Sequence, residues 1–229
     1  MKTHFFIHIP KNGGMTIRHS NLLKGKVQVA TPDTHVKGHA DAVKQKMAET
    51  KDHQGYEHAR FLDIDHAKFG PNMKYFAIIR NPWDRVVSRY WFAKKVIEVE
   101  KKEKASYADV SSFEAFLEER HKWGNMPLMW HRAVRNWWPA HEHVRNVDGD
   151  VACDILRFEN YNSDVCNYFG LQEMTRARNV TALNPGTYRD MYTPETIQII
   201  ADWYKIDIDT WGYDFDTGPT KNFYFEGRQ

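Results

Sequence analysis

Two apolar runs of strand length near the start of the chain are each followed by a turn and then by a helical pattern. Residues 5–9 form the first run, which stops at Pro10, and apolar side chains then recur at helical spacing over 15–23. Residues 75–79 form the second run, and a helical pattern extends from about 83 past 95. Unbroken apolar runs joined by helices are typical of buried parallel strands. The pattern predicts an α/β fold, a three-layer sandwich around a central, mainly parallel sheet, in which both strands end at the same edge.

Shorter patterns complete this prediction and place the whole chain, 1–229, in a single domain. Ser111 and Glu114 have the spacing of a capping box that opens a helix. Gly170 is placed to close another helix, and Pro194 is favourable at the first position of a third. The remaining predicted elements are strands at 27–30 and 154–158, helices at 40–50, 111–120, 162–169 and 194–204, and a long loop at 179–189.

The composition limits the partners and the location of the protein. A formal net charge of +2 argues against the strongly basic surface of a nucleic-acid-binding protein. No apolar run approaches the roughly 18 residues of a membrane span, and the N-terminus leads directly into the first strand. We therefore expect a cytoplasmic protein without a membrane or nucleic-acid partner. Cys153 and Cys166 are expected to be buried free thiols in a reducing compartment.

The turn after the first strand has the composition of an anion-binding loop. Gly13 and Gly14 allow backbone N–H groups to converge on one point, and the following helix adds its partial positive charge. Lys11 supplies a full charge and Thr16 a hydroxyl group. The order of residues differs from that of a Walker A loop, in which the lysine follows the last glycine. A βα turn that holds these residues by chance is the alternative.

A second turn of the same kind follows the run at 75–79. Arg80 stands at the end of this strand, Pro82 at the start of the next helix, and Ser88 further along that helix. Ligands of open α/β sheets bind outside the carboxyl ends of the strands. Two anion-binding turns at one edge predict a ligand that carries two separated phosphate groups.

The sequences of both turns resemble those of sulfotransferases that use 3′-phosphoadenosine 5′-phosphosulfate (PAPS). Residues 10–16 are similar to the 5′-phosphosulfate loop of this family, and residues 80–88 to its 3′-phosphate loop. Residues 155–160 and 192–215 resemble the carbohydrate branch, which includes heparan sulfate 2-O-sulfotransferase. The resemblance implies a P-loop-NTPase-like fold, PAPS as co-substrate without a metal ion, and transfer to a hydroxyl group of a carbohydrate. Met15 departs from the pattern, because the family has threonine at this position.

The resemblance also implies roles for individual residues. Lys11 is expected beside the bridging oxygen of the donor, where its charge would stabilise the leaving phosphate. Arg80 and Ser88 are expected to hold the 3′-phosphate. The 5′-phosphate is expected on the backbone N–H groups of Asn12, Gly13, Gly14, Met15 and Thr16.

Transfer to a hydroxyl group needs a general base, and histidine is favoured because its pKa lies near neutrality. His58 is the first candidate among the twelve histidines, since residues 58–70 resemble the catalytic-histidine stretch of heparan sulfate 2-O-sulfotransferase. His39, at a loop-to-helix junction, is the alternative, followed by another histidine or a carboxylate. His4 and His8 lie in or beside the first strand, where a structural role is expected.

Further polar residues are candidates for other roles. Arg60 and Arg189 could contact the acceptor or the 3′-phosphate, whereas Glu159 is expected to anchor the structure near the sheet edge. His141 and His143 could begin a metal site, but the sequence shows no third ligand for it.

Residues 123–143 contain four of the eight tryptophans, interleaved with arginines and histidines. Stacked aromatic rings beside basic groups suit contact with a sugar or an anionic glycan. Packing of the core is the alternative, because large aromatic side chains dominate core energetics.

Two other functions are compatible with the same fold. A nucleotide kinase would bind a similar donor, but the Walker A order is missing. A non-catalytic module that binds a nucleotide or a glycan is the second possibility, and the departure at Met15 keeps it open.

Overall fold

A computed structural model of the chain describes residues 2–53, 55–100, 102–173 and 186–224. In chain order, the main elements are β1 (His4–Ile7), α1 (Gly14–Arg18), β2 (Val27–Val29), α2 (His39–Glu49), β3 (Lys74–Ile79), α3 (Pro82–Lys94), α4 (Phe113–Trp123), α5 (Ala140–Val144), β4 (Asp154–Arg157), α6 (Tyr161–Phe169), α7 (Pro194–Trp203) and α8 (Lys205–Trp211). A π-helical turn at Lys95–Glu100 extends α3, and a 3₁₀ turn at Tyr56–His58 precedes β3.

The strands form a parallel sheet in the order β2-β1-β3-β4. Phe6 of β1 lies opposite Val29 on one side and Phe76 on the other, and Ile78 of β3 lies opposite Leu156 of β4. Neighbouring parallel strands end at the same edge, so the turns after β1, β3 and β4 lie side by side. The predicted α/β fold with a central parallel sheet is confirmed.

The side chains of the strands alternate between two apolar layers, as the period of two along a strand requires. Phe5 belongs to the larger layer, where it shares a core with Val86 of α3. Phe6 belongs to the opposite layer, together with Ile17 of α1 and Val165 of α6. Each fully buried side chain of this size contributes about 1.5–3 kcal/mol to folding. Helices therefore cover both faces of the sheet, which confirms the three-layer arrangement.

The tryptophan-rich stretch at 123–143 contributes mainly to the larger core. Trp123, Trp130 and Trp137 are buried, and the guanidinium of Arg89 lies 4.1 Å from the ring centre of Trp137. Core packing is thus confirmed for Trp123 and Trp137. Trp130 is buried against Arg60 and His131 outside the two apolar layers, and Trp138 is half-buried.

Several predicted details differ from the structure. The first helix ends at Arg18 instead of near residue 23, because the backbone then continues as turns, in which the N–H of Ser20 donates to the carbonyl of Ile17 and that of Leu23 to the carbonyl of Ser20. The residue that caps α4 is Ser112, whose hydroxyl accepts from the Ala115 N–H at 3.1 Å. Ser111 cannot serve, because its hydroxyl donates to Asp109 Oδ1 at 2.6 Å.

The cysteine and loop predictions have mixed outcomes. Cys153 and Cys166 are free thiols, as predicted, but both are half-buried instead of fully buried. The loop predicted at 179–189 lies mostly outside the described residues.

Candidate active site

A cleft with a volume of about 1030 Å³ lies at the carboxyl edge of the sheet. The turns after β1, β3 and β4 line it, together with α3 and the 3₁₀ turn Tyr56–His58. Both predicted anion-binding turns and the predicted base therefore face one cavity. The predicted site residues that line the cleft are Lys11, Gly13, Gly14, Met15, Thr16, His58, Arg80 and Ser88.

The turn between β1 and α1, called here the donor loop (residues 10–16), has a backbone shape that requires glycine. Gly13 has a φ of 79°, and a Cβ atom there would lie 2.8 Å from Cε2 of Tyr161. A Cβ atom at Gly14 would lie 2.0 Å from Cδ2 of His8. Lys11 also has a positive φ, 69°, which is uncommon for a residue with a side chain. The two glycines thus offer only backbone atoms to the cleft.

Asn12 is the predicted donor-binding residue that does not line the cleft. Its side-chain Nδ2 donates to the carbonyl of Ile78 at 2.8 Å, and its backbone N–H donates to the carbonyl of Ile9 at 3.4 Å. The residue is 1% exposed. This geometry does not support the predicted contact of its N–H group with the 5′-phosphate, and Asn12 instead fastens the donor loop to β3.

Lys11 carries a perturbed ammonium group. Burial, together with the smaller effect of the nearby Arg80 charge, lowers the pKa of Lys11 to about 7. Its Nζ lies 4.4 Å from the ring centre of Phe92 on α3. A bound anion would favour the charged form, because an opposite charge close by raises the pKa of a lysine.

Arg80 connects the two predicted phosphate loops. Its Nε and Nη2 donate to the Asp84 carboxylate at 2.7 and 2.8 Å, and its Nη1 donates to the carbonyl of Lys11 at 2.9 Å. The guanidinium lies 4.0 Å from the ring centre of Phe158. Ser88 follows Asp84 by one helical turn and therefore lies on the same face of α3. A guanidinium has five N–H donors, so two of them remain to bind a ligand.

His58 has the geometry of a general base. Its Nδ1 lies 2.8 Å from the backbone carbonyl of His8. A carbonyl only accepts, so Nδ1 carries the hydrogen and the neutral ring has an unprotonated Nε2. Burial lowers the pKa of His58 to about 4, and the Glu57 carboxylate and the His8 carbonyl only partly oppose this effect. The ring is therefore neutral at ordinary pH and has Nε2 open to a proton, while the lowered pKa also makes it a weaker base than a free histidine.

Glu57 lies next to this base. One of its carboxylate oxygens is 3.9 Å from His58 Nε2 and 3.2 Å from Nη1 of Arg18. Arg18 is the last residue of α1, so this ion pair joins the helix of the donor loop to the segment that carries the base. A carboxylate at this distance stabilises the imidazolium that forms when His58 accepts a proton.

His39 and Arg60, the second candidate base and a candidate acceptor ligand, do not line the cleft. Both contact Asp63: His39 Nδ1 lies 3.6 Å from its carboxylate, and Arg60 donates to it from Nε and Nη2 at 2.8 and 3.1 Å. Arg60 also stacks on Trp130, with 4.7 Å between the guanidinium and the ring centre. These contacts indicate a structural ion cluster.

Arg189 and Glu159 have the partners expected of structural residues. Arg189 is exposed and pairs with Asp216 at 2.7 Å, and it does not line the cleft. Glu159 accepts from the backbone N–H of Asn81 at 2.6 Å, which joins the turns after β3 and β4. The predicted anchoring role of Glu159 is confirmed.

Many other residues that line the cleft were not identified individually from the sequence, among them Glu57, Asp84, Trp91, Phe158 and Tyr161. The hydroxyl of Tyr161 donates to the carbonyl of Gly13 at 3.1 Å. Phe158 and Tyr161 closely follow β4, so the rule that ligands bind at strand ends could have found them. Arg132 pairs with the buried Asp52 at 2.7 Å, and no local pattern indicates this contact.

Two kinds of feature are absent from the described part of the chain. Its His, Cys, Asp and Glu side chains form no group of three or more that could hold a metal ion. The backbone N–H of His141 donates to Asp207 at 2.9 Å, and His143 Nε2 lies 3.3 Å from the Asn136 amide. In the same ranges, no helix combines the length and the apolar character needed to cross a membrane.

Comparison with known proteins gives a family match and a structural likeness. The Sulfotransferase family matches residues 3–214. No curated protein matches the chain significantly. The crystal structure of a sulfotransferase from Alicyclobacillus acidocaldarius aligns with a TM-score of 0.45 and 15% identity, over 91% of this chain and 93% of that one. Because the family match covers nearly the whole described chain, this protein belongs to the Sulfotransferase family and is a sulfotransferase.

Proposed function

We propose that this enzyme transfers the sulfuryl group of PAPS to a hydroxyl group of a carbohydrate, with His58 as the general base and Lys11 beside the leaving phosphate. The observation that carries the proposal is the bond from His58 Nδ1 to the His8 carbonyl at 2.8 Å. This bond gives a neutral, cleft-facing histidine with a free Nε2, in the same cavity as an anion-binding loop.

The residues of the donor loop fit a phosphosulfate. Gly13 and Gly14 offer only backbone to the cleft. The backbone N–H of Thr16 donates to the carbonyl of Gly13 at 3.1 Å, so the predicted N–H contact with the 5′-phosphate falls to Gly13, Gly14 and Met15 at the start of α1. Burial lowers the pKa of Lys11 to about 7, which means that its charged form is unfavourable in the free protein. A bound anion beside the ammonium group would stabilise that charged form. Thr16 lines the same wall. The 5′ end of PAPS would therefore lie on this loop.

The second turn suits the 3′-phosphate. Arg80 keeps two N–H donors beyond those that bind Asp84 and the Lys11 carbonyl, and Ser88 adds a hydroxyl from the same wall. The Asp84 carboxylate neutralises part of the Arg80 charge. Arg80 would therefore recognise the 3′-phosphate through the geometry of its hydrogen bonds as well as through its charge.

The chain's own groups can carry out each part of the transfer. The acceptor oxygen would form a bond to the donor sulfur while its proton moves to His58 Nε2. The bond between sulfur and the bridging oxygen breaks, and that oxygen leaves with adenosine 3′,5′-bisphosphate (PAP). Lys11 would stabilise the charge on the leaving oxygen, and Glu57, 3.9 Å from His58 Nε2, would stabilise the imidazolium.

The side chains that line the cleft near His58 support a carbohydrate as the acceptor. Trp91 and Phe92 of α3 present aromatic rings in the same cavity as His58, and Arg132 and His53 supply polar groups there. Amphipathic sugars combine apolar C–H faces with hydroxyl groups, and such a mixed surface suits them.

Family membership and the residues of the cleft argue against the two alternative functions. Membership of the Sulfotransferase family argues against a nucleotide kinase, as does the absence of a Walker A order. The presence of both a neutral histidine and a buried lysine in the cleft argues against a non-catalytic binding module.

Turnover of labelled PAPS over a panel of acceptors tests the proposal. The panel contains oligosaccharides, a phenol, a steroid alcohol and a tyrosine peptide. We expect label on the oligosaccharides, and we expect PAP to raise the melting temperature more than AMP or ATP, because binding to the native state alone stabilises it. Label only on the phenol, alcohol or peptide would overturn the carbohydrate assignment. Equal stabilisation by PAP and AMP would overturn the donor assignment.

A further inference from the structure

The side chain of His8 lies between the donor loop and His58. Its ring centre is 4.3 Å from that of His58. On the other side, a Cβ atom at Gly14 would lie 2.0 Å from Cδ2 and 2.1 Å from Nε2 of His8. The residue is 3% exposed, and its ring stacks on Phe6 at 5.3 Å. His8 therefore fills the space between the loop and the base.

A single hydrogen bond does not fix the orientation of an imidazole ring. The bond from Nδ1 to the His8 carbonyl leaves the His58 ring free to turn about the N–H···O direction, and Nε2 would then move relative to the cleft. The ring of His8, tilted by 50° against that of His58, blocks this rotation on one side. A displacement of about 1 Å at a reacting group can cost roughly a hundredfold in rate.

The His8 ring is itself held in place without polar partners. Its Nδ1 is buried and has no hydrogen-bond partner among the described residues. Phe6 below and the bare backbone of Gly14 beside it fix the ring by contact alone. An apolar ring of similar size at position 8 would make the same contacts without burying an unpaired nitrogen. Such a substitution tests whether the shape of the ring alone positions His58.

We propose that His8 is a positioning residue, whose ring holds the imidazole of His58 in register with the donor loop. The inference rests on the proposed role of His58 as the base. Arg18 supports it from the other side, because its ion pair with Glu57 at 3.2 Å fastens the base segment to α1. The unit formed by β1, the donor loop and α1 thus contacts the base segment at two places.

Substitutions at His8 separate the shape of the ring from its chemistry. His8→Ala should lower kcat about 100-fold, while the KM for PAPS and the Kd for PAP change by less than about threefold. His8→Phe keeps a flat ring on Phe6 and should stay within about tenfold of the wild-type kcat. His4→Ala, which replaces a histidine at the start of β1 that does not line the cleft, is the matched control and should keep kcat.

A double-mutant cycle tests the contact with the donor loop. Gly14→Ala should lower kcat by itself, because its methyl group must displace the His8 ring. In the His8→Ala background the same methyl group has room, so Gly14→Ala should have little further effect. Independent effects that simply multiply would contradict a shared contact.

A spectroscopic measurement provides a readout that does not depend on turnover. In ¹⁵N-histidine-labelled protein, the nitrogen shifts of His58 should report a single Nδ1–H tautomer in the wild type and in His8→Phe. In His8→Ala they should still report Nδ1–H, because the backbone carbonyl of residue 8 remains, but relaxation of the His58 ring C–H groups should show motion that is absent in the wild type and in His8→Phe. Unchanged ring relaxation and unchanged kcat in a folded His8→Ala protein overturn the proposal. If His58→Ala retains turnover, the assignment of the base fails instead, and the two failures are thereby distinguished.

Discussion

Arg80 donates a hydrogen bond to the backbone carbonyl of Lys11 across 2.9 Å, although 69 residues separate them in the chain. The residue proposed to bind one phosphate of the donor thus also shapes the loop proposed to bind the other. In the proposed complex, recognition of the two ends of the donor would therefore be coupled through one guanidinium group.

Arg80→Ala should remove most of the preference for PAP over AMP. A hydrogen bond to a charged group contributes about 1.5–3 kcal/mol, so we expect the ratio of the two dissociation constants to fall roughly 10- to 100-fold. Arg80→Lys should not restore it, because lysine lacks the planar donor fork that contacts Asp84 and the Lys11 carbonyl together. Isothermal titration with PAP and AMP measures both constants. Arg60→Ala, outside the cleft, is the matched control and should leave the ratio unchanged.

Donor binding should weaken as pH rises above about 7. Burial lowers the pKa of Lys11 to about 7 in the free protein, and the bound anion raises it, so binding takes up a proton above that pH. Between pH 7 and 9 the Kd for PAP should rise by up to about tenfold per pH unit. In Lys11→Arg the charge persists throughout this range, so the slope should disappear. A wild-type Kd that is constant from pH 7 to 9 would contradict the lowered pKa.

His58→Ala should lower kcat by about 10²- to 10⁴-fold with little change in the affinity for PAP. The wild-type kcat/KM, which reports the free enzyme, should fall as pH drops towards the lowered pKa of His58, about 4, because the protonated ring cannot accept a proton. This acid limb should be missing in the variant. Melting temperatures at each pH separate loss of the base from loss of the fold, and His39→Ala serves as the control that keeps turnover.

Met15→Thr should strengthen donor binding. Met15 lines the cleft on the first turn of α1, where the family pattern has a threonine hydroxyl. A new hydrogen bond of about 0.5–1.5 kcal/mol lowers the Kd for PAP roughly 2- to 12-fold. Met15→Val matches the shape of threonine without its hydroxyl and should show no such gain. Equal affinities of the two variants would mean that no phosphate oxygen lies within reach of this position.

Trp137→Ala should destabilise the protein by about 3–5 kcal/mol, as expected for a large aromatic side chain removed from a packed core. The ring is fully buried between Arg89 and Phe116, with centres 4.1 and 5.3 Å away. Denaturant unfolding measures the loss. A variant with wild-type stability but without activity would favour an acceptor-binding role for this tryptophan.

The sheet and the two loops could be predicted from the sequence because their signals are local. An apolar run, a turn and a helical pattern around Lys11 and around Arg80 specify the end of a strand and the start of the next helix. The same reasoning applied to the end of β4 would have found Tyr161. The end of α1 at Arg18 was missed, since apolar spacing continues past it while the backbone already turns at Ser20.

The remaining features of the site depend on contacts between distant segments. The sequence indicates only that Asn12 lies in a loop, but its side chain donates to the carbonyl of Ile78, 66 positions away in β3. The sequence assigns His8 a structural role in the strand, and only the packed structure brings its ring against His58. The ion pair between Arg80 and Asp84 needs the helix to start at Pro82, and the sequence does indicate this start. It also needs the Arg80 side chain in the conformation that packs on the Phe158 ring, which the sequence does not indicate.

The hydroxyl of Tyr161 reaches the carbonyl of Gly13 across a sequence separation of 148 residues. Contacts between such distant residues form late in folding, because closing a long loop costs entropy before the contact is gained. The donor loop therefore reaches its final shape only after β4 and α6 have joined the sheet. A nascent chain that has not yet reached residue 161 contains every residue of the loop but not its closed form. The proposed donor binding would thus need a chain in which Tyr161 is already packed, and it would stabilise that state over any state that lacks the contact.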